Sequence, residues 1–281
     1  MILKGSAACA SPHRSGSMSR LRLEGNEMNI SVKDLFDYKI QAEDGEIGSV
    51  SDVLVDDADW TARYLVVDTG GWLFGRKVMI APVAAREPDA AGKLLPVRLT
   101  KQEIKDSPDI ASDPPLSRDQ EIAYHDHYRW PYYWLGGGNV GFGHADALAE
   151  VPLTPLPRSE PEAGSTPPVT EDRDYSLRSV KHLIGQKLLS HDGEIARIAD
   201  FLLEVDGDIW HAPYLVAELD SNRHVLAPTA AIEKVGWPDQ DVLVRLSPEL
   251  LFGAPDFDET VVRDAMFLGR VRDYYGSHAR A

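Results

Sequence analysis

Cysteine is almost absent from this chain of 281 residues: Cys9 stands alone, so no intrachain disulfide and no Cys-x-x-Cys metal site can form. A reducing compartment fits, and the expected location is cytoplasmic. Long apolar runs are missing too. Stretches such as residues 64–67 fall far short of the 18 or more apolar residues of a membrane helix. Basic residues are few, 29 Lys and Arg against 45 Asp and Glu for a formal charge of -16. That balance argues against phosphate-backbone binding, which needs clustered cations, and favours solubility and basic protein partners. No His-Glu-x-x-His, EF-hand, Ser-His-Asp or Cys-His pattern stands anywhere, so no catalytic residue, metal ligand or cofactor site is predicted, and the chain is expected not to be an enzyme. What remains is an ordinary globular composition, 43% hydrophobic and 26% charged, of a length suited to about two domains.

A repeat supplies the two domains. Asp44-Gly45-Glu46-Ile47 through Asp52-Val53-Leu54 recurs 148 positions later as Asp192-Gly193-Glu194-Ile195 through Asp200-Phe201-Leu202, with six of eleven residues identical. The match runs on through Trp60 and Trp210, Tyr64-Leu65-Val66 and Tyr214-Leu215-Val216, Ala81-Pro82 and Ala227-Pro228, and Val97-Arg98-Leu99 and Val244-Arg245-Leu246. Each copy opens with an Asp-Gly hairpin turn, where Gly45 and Gly193 supply positive φ. The following strand places Ile47, Val50, Val53 and Val55, or Ile195, Ile198, Phe201 and Leu203, at spacings of three and then two. A helix has no room between the flanking turns, so a strand with a bulge is expected. Further strands are expected at residues 63–68, 77–82 and 93–99, and at 213–219, 224–228 and 241–246. The predicted fold is mainly β: two small antiparallel barrels, each followed by a short α-helical segment. Ser117-x-x-Gln120 reads as a capping box for the first helix, running to about Tyr128, and the second helix is expected from near Asp256 or Asp258 to Tyr275, stopped at Gly276.

The expected organisation is a disordered tail at 1–27, a first barrel with helix and aromatic tail at 28–134, a Gly- then Pro-rich linker at 135–173, a second barrel with helix at 174–276, and a disordered tail at 277–281. Six prolines in residues 151–173 make the linker semi-rigid. Met28 opens the ordered pattern and is the expected native start; mass spectrometry of the N-terminus tests this.

These residues, Asp-Gly-Glu-Ile, then Asp52-Val53-Leu54 or Asp200-Phe201-Leu202, Tyr-Leu-Val and Ala-Pro, resemble the PRC-barrel family. The resemblance covers residues 30–109 and 175–256. It implies a six-stranded barrel used mainly for protein contacts, without a shared active site. Members include the cytoplasmic domain of the photosynthetic reaction centre H subunit, which has a membrane helix that this chain lacks, and the C-terminal domain of a bacterial ribosome maturation factor, which follows a different barrel. The resemblance implies a non-enzymatic adaptor or scaffold for a protein partner. The alternative is an H-subunit-like accessory associated peripherally with a membrane electron-transfer or photosynthetic complex, and a metal-dependent enzyme is the third reading. Homo-oligomerisation stays open.

Among polar residues, Asp52 and Asp200 are read as backbone-holding carboxylates rather than an acid and base pair, because each copy has one. The clusters Asp56-Asp57-x-Asp59 and Asp206-x-Asp208 read as turn formers, with Ca²⁺ as the alternative. His125, His127 and His144 are the nearest approach to metal ligands, but an i,i+2 helical pair points to different faces. The densest aromatic segment, with Tyr128, Trp130, Tyr132, Tyr133 and Trp134, is read as a partner-binding patch or as packing across its own barrel.

Overall fold

The computed structural model describes residues 28–108, 116–134, 177–220, 223–236 and 241–278. The tail at 1–27, the linker at 135–173 and His144 lie outside the described residues. The chain is mainly β. In the first copy, β1 (Met28–Ser31) leads into a one-turn helix α1 (Val32–Leu35), followed by β2 (Lys39–Ala42), β3 (Gly45–Asp56), β4 (Thr61–Asp68), β5 (Lys77–Ile80), β6 (Leu94–Pro96) and the helices α2 (Lys101–Lys105) and α3 (Arg118–Tyr128). The second copy repeats the order with β7 (Leu177–Ser179), α4 (Val180–Leu183), β8 (Lys187–Ser190), β9 (Gly193–Asp206), β10 (Ile209–Asp220) and β11 (Arg223–Pro228). It continues with β12 (Ile232–Val235), β13 (Val242–Val244), α5 (Pro248–Phe252), β14 (Asp256–Phe257) and α6 (Ala265–His278).

The long strands β3 and β9 organise each half, and their odd hydrophobic spacing has a clear cause. Val50 lies opposite Val67 and Asp52 opposite Val66, which leaves Ser51 as an extra residue in a bulge. In β9, Ile198 lies opposite Ala217 and Asp200 opposite Val216, which leaves Ala199 in the same place. Each bulge resets which face a side chain occupies, so residues three apart both turn inward. Ile47, Val50, Val53 and Val55 are all buried, as are Ile195, Ile198, Phe201 and Leu203. The hairpin turns take positive φ at Gly45 and Gly193. Beyond the bulge the strands of the first half alternate cleanly: Val53, Val55, Leu65, Val67, Val78 and Ile80 enter the main core. Leu54, Tyr64, Val66 and Met79 face a second, smaller cluster under α3.

The two copies are joined through their strands. All fourteen strands described join one sheet with the path β12-β13-β8-β9-β10-β4-β3-β2-β6. Each copy also lends its first strand to the other. β2 pairs along residues 45–49 of β3, and then β7 from the second copy takes over the same strand at Leu54, Val55 and Asp56. β8 pairs along β9 as far as Arg197, and β1 from the first copy takes residues 202–205. Thus the exposed edge that each long strand leaves past its bulge is covered by a strap from the opposite half. The halves meet again where His211 lies opposite Thr61 and the Ala212 N–H donates to the Trp60 carbonyl at 2.8 Å. The Trp60 ring stacks on Phe201 of the other half at 5.7 Å.

The element ends differ from the sequence expectation in several places. The second helix starts only at Ala265, because Asp256–Phe257 is drawn into β14 against β11, and it continues past Gly276 to His278, inside the stretch expected as tail. The strand β12, the straps β1 and β7, and the one-turn helices were not foreseen. Arg76 secures the end of α2 by donating to the carbonyls of Lys105 at 3.0 Å and Pro108 at 2.7 Å. Arg223 does the same after α5, reaching Phe252 at 2.8 Å and Ala254 at 3.3 Å. A guanidinium is well suited to the orphan carbonyls of a helix end.

Candidate functional site

Asp52 and Asp200 come to lie at the crossing of the halves. Each follows its bulge immediately, so its carboxylate is turned to the strand edge where the opposite strap arrives. Asp52 Oδ1 accepts the N–H of Val53 at 2.7 Å and of Lys181 at 3.0 Å, and Oδ2 accepts the Ser179 hydroxyl at 2.5 Å. Asp200 accepts the N–H of Phe201 at 2.7 Å and of Lys33 at 3.1 Å, together with the Ser31 hydroxyl. The same hydroxyls cap the one-turn helices: Ser31 accepts from Asp34 N at 3.1 Å, and Ser179 from His182 N at 3.1 Å. Both aspartates are 8% exposed. Burial raises their carboxyls above the usual range, and the serine hydroxyl with two backbone N–H donors offsets part of that rise. The pair does not converge on one point, so it has no acid and base geometry; each carboxylate binds the backbone of the other half.

The aromatic segment builds the second group. The capping box at Ser117 and Gln120 starts α3, as the sequence suggests, and Arg129 ends it in the left-handed region at φ 58. The chain then folds back, so that Trp130, Tyr132, Tyr133 and Trp134 surround His125 with ring centroids 4.9 to 5.9 Å away. Tyr128 stacks on Trp130 at 4.3 Å. None of these five aromatics is fully exposed; Tyr128, Trp130 and Tyr133 pack on the second cluster, and Tyr132 and Trp134 complete the flap over His125. Beneath them lie Glu121, 0% exposed, and His125, 4% exposed. Tyr64 from β4 is 3.0 Å from Glu121 Oε2 and 2.7 Å from His125 Nε2. One hydroxyl has one proton, so Tyr64 donates to the carboxylate while a neutral His125 donates from Nε2 to Tyr64. Tyr133 donates to the same Oε2 at 2.6 Å, and Arg118 pairs with Oε1 at 2.9 Å. Burial pushes the Glu121 carboxyl up against the opposing pull of Tyr133, Arg118 and Tyr64, and burial pushes His125 down. The phenols of Tyr64 and Tyr133 are also raised, first by burial and then by the Glu121 charge. The Arg63 and Arg118 guanidiniums lie over the flap, 4.3 Å from the Tyr133 ring and 4.4 Å from the Trp134 ring.

The remaining candidates are drawn into local contacts. Asp56 and Asp59 both pair with Arg63, at 3.2 and 2.7 Å, and Asp57 pairs with Arg178 of the opposite strap at 2.6 Å. Ala58 N and Thr61 N donate to Asp56 and Asp59, as turn-forming aspartates require. Asp208 is 3.7 Å from Arg98. His127 Nε2 meets the Glu103 carbonyl at 2.9 Å, so the two helical histidines do point apart. Among the described residues no group of three or more His, Cys, Asp or Glu has metal-site geometry, and no helix is long and apolar enough to cross a membrane.

One surface escaped the sequence reading. Between β4 and β5, residues 70–75 form a closed loop that carries Trp72, Leu73 and Phe74. Thr69 Oγ1 donates to Arg76 O at 2.6 Å, Gly75 N donates to Gly70 O at 2.5 Å, and Gly70 N donates to Asp68 at 2.8 Å. Phe74 stands at φ 54 and is 100% exposed. The signal was available: three consecutive apolar residues between glycines, at a place where the second copy has Asp220-Ser221-Asn222-Arg223.

The family model of the PRC-barrel domain matches residues 28–102. A comparison with curated proteins finds no match.

Proposed function

We propose that this chain is a non-enzymatic adaptor of the bacterial cytoplasm, built of two PRC-type barrels, that binds a protein partner through the Trp72–Leu73–Phe74 loop. Support for the second barrel is the repeated element order, the second bulge at Ala199 and the second brace at Asp200. The observation that carries the binding role is Phe74, fully exposed on a loop locked by its own backbone hydrogen bonds. An exposed aromatic costs solubility, and a pre-ordered one loses little entropy on docking, which is the pattern of an interface anchor. The acidic exterior steers basic partners to it. The aromatic flap, half-buried over His125, contributes mainly the rigid base of the first half.

The test is affinity capture by the full chain from its native cell, comparing wild type, Phe74→Ser and Phe252→Ser. Phe252 is 45% exposed elsewhere and serves as a control for apolar stickiness. A partner lost with Phe74→Ser and kept with Phe252→Ser is the expected result; identical capture by all three contradicts the assignment. Co-fractionation with membranes would favour instead the accessory of a membrane electron-transfer complex.

A further inference from the structure

The straps that join the halves carry the same docking code. One reads Ser31-Val32-Lys33-Asp34-Leu35 and the other Ser179-Val180-Lys181-His182-Leu183. Each serine donates to the aspartate of the opposite half, and each following lysine N–H donates to the same carboxylate. Ser31 lies opposite Leu202 and Ser179 opposite Leu54, two residues after Asp200 and Asp52, so the register is also the same. The strand register and the serine and lysine hydrogen bonds to the aspartate lie wholly in the strap and its groove. Nothing in the contact set requires the two to share a chain.

The exchange is reciprocal as well. The first half gives β1 to β9 and receives β7 on β3, and β4 meets β10 between them. Two copies can therefore satisfy every one of these contacts by docking the first half of each against the second half of the other, in a closed twofold arrangement. The covalent connection permits it: about 40 residues join Trp134 to Leu177, with an extended limit of roughly 130 Å at ~3.3 Å per residue.

We propose that a second copy of this chain is a partner and that the two associate by exchanging halves, Met28–Leu35 of each copy lying on β9 of the other. The contacts are the same in both forms, so concentration sets the balance between them. Docking within one chain benefits from the effective concentration that the connection provides, which falls as the connection lengthens. The monomer dominates in dilute solution and the exchanged dimer grows with concentration during folding. Release breaks all three cross-half strand pairings together, so the yield of dimer is set by the chain concentration during refolding.

The register supplies the test. Asn29 lies opposite Glu204. In a Cys9→Ser background, a chain carrying both Asn29→Cys and Glu204→Cys is expected to close an intramolecular disulfide, which reports native docking. Two chains carrying one substitution each are then refolded together at concentrations about a hundredfold apart. An interchain disulfide is expected after refolding at the high concentration, with dimer mass by light scattering, and both should be several-fold lower after refolding at the low concentration. Complete closure in the doubly substituted chain with no interchain product at any concentration overturns the proposal. A second measurement needs no substitution: wild-type chains with two different affinity tags, refolded together at high concentration, should co-purify, and purification of each tag alone overturns it equally.

Discussion

At the residue scale, the most constrained position is Gly48, which the repeat does not reveal because its counterpart is Ala196. Gly48 stands at φ +153, and a Cβ there would lie 2.0 Å from the Asp68 carbonyl oxygen. Gly48→Ala must move the β3–β4 ladder, and a cost of about 3 kcal/mol is expected in urea unfolding. Ala196→Gly at the equivalent place should cost no more than ~1 kcal/mol. His125 gives a pH prediction. Its pKa is held below the ordinary 6.5 by burial, so the unfolded chain binds the proton more tightly. Stability should therefore be constant in this group above pH 6.5 and fall as pH drops from 6.5 to the lowered native pKa, at up to about 1.4 kcal/mol per pH unit. Glu121, Asp52 and Asp200 have raised pKa values and act with the opposite sign: their contribution grows as pH falls from the raised native values toward the ordinary ones near 4. The His125 contribution is isolated by comparing wild type with His125→Gln at pH 7.5 and 5.5. The variant should lose less stability than wild type between these pH values, and an equal loss would remove the role of His125.

At the scale of the element, the braces decide whether α1 and α4 exist at all. One-turn helices have no stability of their own, and these two persist because a serine and an aspartate from different halves share their first N–H groups. Asp52→Ala leaves the Lys181 and Val53 N–H groups without a buried acceptor, for an expected loss of about 3 kcal/mol. Ser179→Ala should cost about 1 to 2 kcal/mol. The double variant should cost less than the sum of the two, since both remove the same bond; strict additivity in thermal unfolding would mean that the brace carries no energy. These elements also mark where the sequence became illegible. The Asp-Gly hairpins, the bulged strands and the α3 capping box are local signals, and each could be read from a dozen residues. A strand of three or four residues has no periodicity, and β1 finds its partner more than 170 positions away. The repeated Ser-Val-Lys-x-Leu was nevertheless present at the same 148-residue offset as the rest of the repeat. The helix α6 began late for a similar reason: Asp256–Phe257 pairs with β11, and no local propensity announces that. For the aromatic segment, composition left both packing and binding open, with packing ahead. The contact of Tyr64 with Glu121 and His125, from a strand some 60 residues earlier, is what makes it a flap.

For the whole molecule, the described strands form one continuous sheet whose halves complete each other. Each long strand needs the opposite strap to cover its edge, and the core residues Ile30, Val32 and Leu35 from the first copy belong to one cluster with Phe201, Leu203 and Val205 from the second. Neither half should unfold alone. The measurement that tests this most directly is equilibrium urea unfolding of the full chain, followed together by far-UV circular dichroism and tryptophan fluorescence, with Asp52→Ala as comparison. The account predicts a single coincident transition that moves as a whole to lower urea in the variant. Two separate transitions, with only one of them shifted by Asp52→Ala, would contradict it.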